Sequence, residues 1–379
     1  MKQYDAIIIG FGKGGKLLAA ELANRNWKVA IIERSPQMYG GTCVNAGCIP
    51  TKTLIHESEQ AERLYRDDYS NQAKYYALAV GRKNKLVSFL RDKNYEHIKA
   101  HPNITLYDGT ASFASNDTVK VVSRDKKEIL LKGKEVFINT GSTPILPDVE
   151  GINGSKHVFT SETLLRQSKL PHRLLILGAG AIGMELATMY AGFGSQVTLL
   201  ESGSRFMPKS DRDIAESMLE SLKRKGIEIR LNAYALSVYD TDDGVTLTYT
   251  DNADGTPYFL EGDALLLATG RRPMTDELNL HAAGIRTVKR GYSLQVSRLP
   301  VAAIPRARTL QHIDGMMKAI VNAHTGRIIG CTLFCVDAPE VINLVSLAMK
   351  NDLHYSALRD FIFTHPSMSE GLNDLFKAF

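Results

Sequence analysis

No apolar run in this 379-residue chain approaches the length of a membrane span, and the N-terminal apolar stretch is too short for a secretory leader. It runs straight into a glycine-rich turn, so the chain reads as cytoplasmic. Charge of one sign is also scarce: the net charge is +5, with no concentrated basic tract. That argues against nucleic acid and leaves anionic cofactors as the expected ligands. Cysteine is rarer still, with four in all. Cys331 and Cys335 lie in the apolar stretch Ile328-Ile329-Gly330-Cys331-Thr332-Leu333-Phe334-Cys335 and read as small core residues. With that pair assigned to the core, no second cysteine pair or histidine cluster at ligand spacing follows Cys43 and Cys48, so no metal site is expected.

What is present is concentrated around those two cysteines, in Gly40-Gly41-Thr42-Cys43-Val44-Asn45-Ala46-Gly47-Cys48-Ile49-Pro50-Thr51-Lys52. The run reads as a redox-active disulfide; a structural bridge or a zinc half-site is the plainer alternative. On a regular helix the two side chains would point about 140° apart, so bonding them requires a distorted first turn, which Asn45 and Gly47 permit. A strained disulfide is readily reduced, and a helix opened by Pro50 lowers the pKa of a thiol at its N-terminus. Lys52 lies one turn beyond Cys48 on the same face.

Two dinucleotide fingerprints flank this run. Asp5-Ala6-Ile7-Ile8-Ile9 has the pattern of a buried parallel strand, and Gly10-Phe11-Gly12-Lys13-Gly14-Gly15 opens the helix behind it. Gly10, Gly12 and Gly15 let the backbone approach a pyrophosphate at the helix N-terminus, and the next strand, Lys28–Ile32, ends in Glu33, placed for a ribose. The pattern recurs: Leu174–Leu177, then the loop with Gly178, Gly180, Ile182 and Gly183, then the strand Gln196–Leu200 closed by Glu201. In both units the acid follows the first glycine by 23 residues, which argues for two dinucleotide sites. Passing two electrons from a nicotinamide to a disulfide needs a flavin between them. The first unit, which carries the cysteines, is therefore expected to hold FAD and the second NAD(P)H. Glu201 favours NADH because it repels a 2′-phosphate, whereas Arg205, Arg271 and Arg272 are candidates to offset that repulsion.

Along the chain, His56–His101 reads as a long helical excursion from the spacing of Leu64, Tyr65, Leu78, Val80, Leu86, Phe89 and Leu90. Strand signals return at Ile104–Tyr107, Thr118–Val122 and Val136–Asn139, the last ending in Thr140-Gly141 beside the first cofactor. Thr269-Gly270 repeats that strand end in the second unit. The fold class is α/β: two Rossmann-like domains and a C-terminal α+β domain. The expected boundaries are 1–150 for the FAD domain, 151–272 for the NAD(P) domain, 273–298 for a shortened return to the FAD domain and 299–379 for an interface domain. Near the end, His365 precedes a proline and Glu370 stands five residues on, where a carboxylate can orient the ring and raise its basicity.

Together these motifs resemble the class I pyridine nucleotide–disulfide oxidoreductases, the family of dihydrolipoamide dehydrogenase, glutathione reductase and mercuric reductase. Tyr39–Cys43, Cys48–Thr53, Leu299–Arg306 and Ile362–Ser367 look most like its reactive-chlorine-resistance flavoprotein branch. The resemblance implies Cys48 as the flavin-facing thiol and Cys43 as the interchange thiol. It implies Gly41, Thr42 and Lys52 against the flavin, with Lys52 paired to Glu185. It also implies a homodimer in which His365 and Glu370 serve the partner subunit's disulfide. The pattern departs from the family where Gly291–Val296 passes almost directly to Leu299-Pro300: the flavin-contacting Gly-Asp strand and several tens of residues are missing, an apparent internal deletion. The leading expectation is electron transfer from NAD(P)H through FAD to the cysteine pair and on to a small-molecule or protein disulfide. A mercury(II) or copper(II) reductase is the alternative within the fold, although the chain ends Asn373–Phe379 without a cysteine pair. The missing segment motivates a third reading, a catalytically impaired dinucleotide-binding remnant.

Overall fold

The computed structural model describes residues 1–208, 210–251, 255–285, 294–323, 325–377 and 379. The run Gly291-Tyr292-Ser293, where the shortened return is read, lies outside the described residues. The chain divides into two compact bodies, residues 1–204 with 225–287 and residues 205–224 with 288–379.

The larger body begins with the first βαβ unit. Strand β1 (Lys2–Ile9) leads into α1 (Lys13–Asn24) and β2 (Val29–Glu33). The chain then makes α2 (Gly41–Asn45), α3 (Cys48–Tyr65) and α4 (Tyr69–Lys99) before β3 (Ile104–Asp108), β4 (Thr110–Phe113), β5 (Thr118–Val122) and β6 (Glu128–Ile138). The sheet order is β3-β2-β1-β6-β5-β4, with a parallel core in which Ile8 faces Ile31 and Ile7 faces Val136. Alternation along β1 feeds two cores: Ala6 and Ile8 pack with Ala19 and Ala23 of α1, while Tyr4, Ile7 and Ile9 pack with Phe113, Val119 and Val121. Each fully buried isoleucine contributes about 1.5–3 kcal/mol relative to exposure.

The helical excursion is broken at Asp67, whose φ is +63°, and Asp68 caps α4 by accepting the Asn71 N–H at 3.1 Å. Its packed face differs from the one the leucine spacing suggests. Leu64, Leu78, Leu86 and Phe89 are exposed, whereas Tyr76, Ala79, Val80 and Lys83 are buried. The reason is tertiary: α4 packs toward the second βαβ unit, where the Tyr76 hydroxyl bonds that of Tyr190 at 3.1 Å and Lys83 donates to the Leu165 carbonyl at 2.7 Å.

That second unit follows β7 (Ser142–Pro144), β8 (Val158–Thr160) and α5 (Ser161–Leu164). It comprises β9 (Arg173–Leu177), α6 (Ala181–Gly192) and β10 (Gln196–Leu200); α7 (Arg212–Arg224) and β11 (Glu228–Arg230) come next. The antiparallel meander β12 (Ala233–Asp240), β13 (Val245–Asp251) and β14 (Pro257–Gly262) precedes β15 (Ala264–Leu267) and β16 (Arg271–Pro273). The parallel sheet runs β11-β10-β9-β15-β8, and β7 pairs with β16 in a short ribbon. Beyond the ribbon the chain does return to the first sheet: Leu278, Leu280 and Ala282 pack against its core, and Asn279 donates to the Phe113 carbonyl at 3.1 Å.

The smaller body is a three-stranded antiparallel sheet of β17 (Leu294–Pro300), β18 (Met316–Asn322) and β19 (Ile328–Phe334). Its helices are α8 (Pro305–Thr309), α9 (Ala338–Lys350), α10 (Ser356–Arg359) and α11 (Gly371–Phe376). Met317, Val341, Val345, Leu372 and Phe376 form its core, with Cys331 and Cys335 packed at the edge. α7 belongs to this body, tied to it by Arg298–Asp213 at 2.6 Å and Arg224–Asp314 at 2.9 Å.

Candidate redox and dinucleotide site

The two glycine loops repeat one geometry. Gly10 and Gly178 have φ of +107° and +103°, and a Cβ there would stand 2.3 Å from the Asn139 carbonyl oxygen and 2.5 Å from that of Ala268. Only glycine meets both conditions. Gly12 and Gly180 then open α1 and α6 with φ of −76° and −74°. Gly15 and Gly183, both buried, bring each helix against its loop, and Ile182 is half-buried in the first turn of α6.

The acids at the strand ends brace these loops. Glu33 accepts the N–H of Phe11 at 3.0 Å and of Ser35 at 3.1 Å; Glu201 accepts the N–H of Ala179 at 3.0 Å and of Gly203 at 2.9 Å. Burial pushes the Glu33 carboxyl above the usual range, opposed by those backbone donors. Beside Glu33 lies a cavity of about 300 Å³ lined by Gly10, Glu33, Ala111, Thr140, Arg272 and Leu278. Its size and its loop suit the nucleoside end of a dinucleotide. Sequence reasoning missed Asn139, which donates to the Gly10 carbonyl at 3.1 Å; its place just before Thr140-Gly141 at the end of β6 was the available signal. Gly141 and Gly270 both take positive φ, 70° and 115°, each just before a strand of the β7–β16 ribbon.

Two of the three arginines weighed against Glu201, Arg271 and Arg272, are committed elsewhere. Arg271 donates to the Ser142 hydroxyl at 2.9 Å and to the Glu162 carboxylate at 3.0 Å, and Arg272 pairs with Asp276. Neither guanidinium is directed at Glu201, which bonds its own loop.

The cysteine run is two helices rather than one with a distorted first turn. α2 ends at Asn45, Ala46 and Gly47 leave helical geometry, and α3 starts at Cys48. The break brings both sulfurs to one place, as free thiols. Burial pushes the Cys43 thiol up, the neighbouring Cys48 thiol adds to this, and Lys13 opposes it. Gly41 has φ of +75°, and a Cβ there would come within 2.5 Å of the Gly12 Cα, so α2 rests on the first turn of α1. Thr42 follows half-buried, and the Asn45 amide fixes the turn by donating to the carbonyls of Tyr39 at 3.0 Å and Gly41 at 2.9 Å. One turn into α3, Lys52 forms an ion pair with Glu185 of α6, so the cysteine helix is tied to the helix of the second glycine loop.

In the smaller body, His365 Nδ1 lies 2.6 Å from Glu370 Oε2; the ring is exposed and the carboxylate mostly buried. Glu370 Oε1 and Ser367 Oγ are buried without a hydrogen-bond partner among the described residues. Burial pushes Cys331 up to about 12 and Cys335 up to about 11, so both stay protonated at neutral pH. Among the described residues no group of three or more His, Cys, Asp or Glu is arranged to hold a metal, and no helix is long and apolar enough to cross a membrane.

Two glycine loops, a cysteine pair at a helix start and a carboxylate-bound histidine define a class. The chain belongs to the flavin-dependent pyridine nucleotide–disulphide oxidoreductases: the family model matches residues 4–299, and the family's dimerisation domain matches residues 286–376. It is 38% identical, over 99% of both chains, to the probable pyridine nucleotide-disulfide oxidoreductase RclA of Escherichia coli K12. That alignment spans 456 positions against 379 residues here, so positions of the relative stand without a counterpart. A mercuric reductase of Lysinibacillus sphaericus is 29% identical over 97% of this chain and 81% of its own. Among solved structures, the Cu(II) complex of the HOCl-induced flavoprotein disulfide reductase RclA from Escherichia coli superposes with a TM-score of 0.82 at 37% identity, covering all of both chains.

Proposed function

We propose that the first glycine loop holds FAD, that the second takes NADH, and that electrons pass to Cys43–Cys48 and then to a disulfide acceptor. The flavin, when bound, supplies the step between hydride transfer and thiol chemistry. The net reaction consumes one NADH, one proton and one acceptor disulfide, and yields NAD⁺ and two thiols. The observation that carries this reading is the Lys52–Glu185 ion pair, which joins the helix that begins at Cys48 to the helix of the second loop. Gly10, Gly12 and the N-terminus of α1 receive a pyrophosphate, and Glu33 keeps the loop in shape while facing the nucleoside cavity. Glu201 does the same for the second nucleotide and rejects a 2′-phosphate. Cys48, at the start of α3, faces the flavin. Cys43 exchanges with the acceptor.

His365, oriented by Glu370, moves the proton on the thiol of a partner subunit in a homodimer. His365→Ala therefore leaves the stopped-flow rate of flavin reduction by NADH unchanged while turnover with a disulfide falls about 10²–10⁴-fold. Equal loss in both half-reactions, or a monomer in solution, contradicts this assignment. Mixing His365→Ala with Cys43→Ser subunits restores part of the activity.

A second reading, reduction of mercury(II) or copper(II) ions as substrate, is favoured by the mercuric reductase relative and by the copper complex of the similar solved structure. Ion-dependent NADH oxidation that survives His365→Ala, together with no turnover of disulfides, selects it. The aligned positions without counterpart support an internal deletion, for which we keep the reading of an impaired remnant. A chain purified without flavin absorbance selects that one.

A further inference from the structure

The two thiols stand among different cations. Lys52, on the helix of Cys48, is paired with Glu185. On the side of Cys43, the first turn of α1 lies directly beneath α2, because Gly41 rests on Gly12. That turn carries Lys13 and Lys16. Lys16 is half-buried and its Nζ donates to Asn94 Oδ1, a neutral amide, so its charge is not spent on a carboxylate. Asn94 in turn donates to the Leu90 carbonyl of α4 at 2.6 Å, and its Nδ2 lies 2.9 Å from where a Cβ on Gly40 would stand. The amide thus wedges the lysine between α4 and the turn that precedes the cysteine.

We propose that Lys13 and Lys16 stabilise the thiolate of Cys43 when it exchanges with the acceptor, and that Asn94 is the positioning residue that holds Lys16 there. Burial pushes the Lys16 ammonium down, with Cys43 the principal opposing influence and Lys13 adding to the depression. Lys13 likewise opposes burial on Cys43. Other titratable or charged groups near α2 among the described residues include Cys48 of α3, Tyr39, whose ring stacks on Tyr95 of α4, and Arg91 of α4, whose guanidinium reaches Asn45 Oδ1 at 3.5 Å. The proposal rests on Cys43 being the interchange thiol, but the field of the lysines is measurable without turnover.

The measurement is the pH dependence of Cys43 alkylation by neutral iodoacetamide, read at that residue by mass spectrometry on the FAD-loaded Cys48→Ser protein. Lys16→Met raises the midpoint by about 0.5–1 unit and slows alkylation at pH 7.5 about three- to tenfold. Lys13→Met has a smaller effect, Asn94→Ala shows part of the Lys16→Met shift, and Lys16→Arg retains the parent's profile. Raising salt from about 0.02 to 0.5 M lifts the parent's own midpoint, a reading that needs no lysine variant to fold. Midpoints that coincide in parent, Lys13→Met and Lys16→Met, or a parent indifferent to salt, overturn the proposal. Should turnover instead assign acceptor exchange to Cys48, the functional reading fails while a lysine-dependent Cys43 midpoint stands.

Discussion

The two glycine loops are near copies in backbone and opposites in surroundings. A Cβ on Gly12 would meet the Asn139 amide at 3.0 Å, whereas a Cβ on Gly180 would meet nothing within 4 Å. Glu33 is buried and Glu201 only half-buried. The same loop has been closed in one place and left open in the other. A closed loop with a preformed nucleoside cavity suits a cofactor that stays, and an open one suits a nucleotide that enters and leaves on every turnover.

The largest expected effects come from breaking each loop at its tightest point. Gly10→Ala forces a Cβ onto the Asn139 carbonyl and leaves a chain that retains no flavin, while Gly178→Ala keeps flavin but is no longer reduced by NADH. Flavin absorbance after gel filtration and stopped-flow reduction check the pair; equal flavin loss in both removes the distinction. Next in size is Glu201→Ala, which relaxes the preference for NADH over NADPH about tenfold, worth about 1.4 kcal/mol. Wild-type kcat/KM already higher with NADPH contradicts it.

A smaller effect separates the acids through pH. Because burial raises the Glu33 pKa in the folded state, that state holds the extra proton between the unfolded and folded values. Stability of the flavin-free protein therefore falls as pH rises from the ordinary glutamate range through the folded pKa, by up to about 1.4 kcal/mol per unit. Urea unfolding across that window shows the slope, and Glu33→Gln flattens it. The smallest effect is on Tm without ligands: Gly12→Ala lowers it by a few degrees, and Gly180→Ala leaves it unchanged.

Much of this was legible in the sequence because it is local. The isoleucine run of β1, the glycine spacing and the acid 23 residues on are all carried by neighbouring residues, and the strands fall where those patterns put them. Long-range pairing is what stayed hidden. Only the Thr140-Gly141 strand end beside Asn139 hints that its amide braces Gly10, and nothing near Asn94 announces that it holds Lys16. The apolar spacing in the helical excursion marked helix correctly but not its packed face, since the tyrosines that dock on the second unit are chosen by a partner more than a hundred residues away. Arg271 looked available for a phosphate until Ser142 and Glu162 claimed it.

The central claim is that a resident flavin on the closed loop faces Cys48. Reduction of the purified chain with dithiothreitol, followed by absorbance at wavelengths beyond the flavin band, tests it directly. The account predicts a yellow protein whose long-wavelength absorbance rises on reduction, persists in Cys43→Ser and is absent in Cys48→Ser. A colourless chain, or a band that survives Cys48→Ser and vanishes in Cys43→Ser, contradicts it.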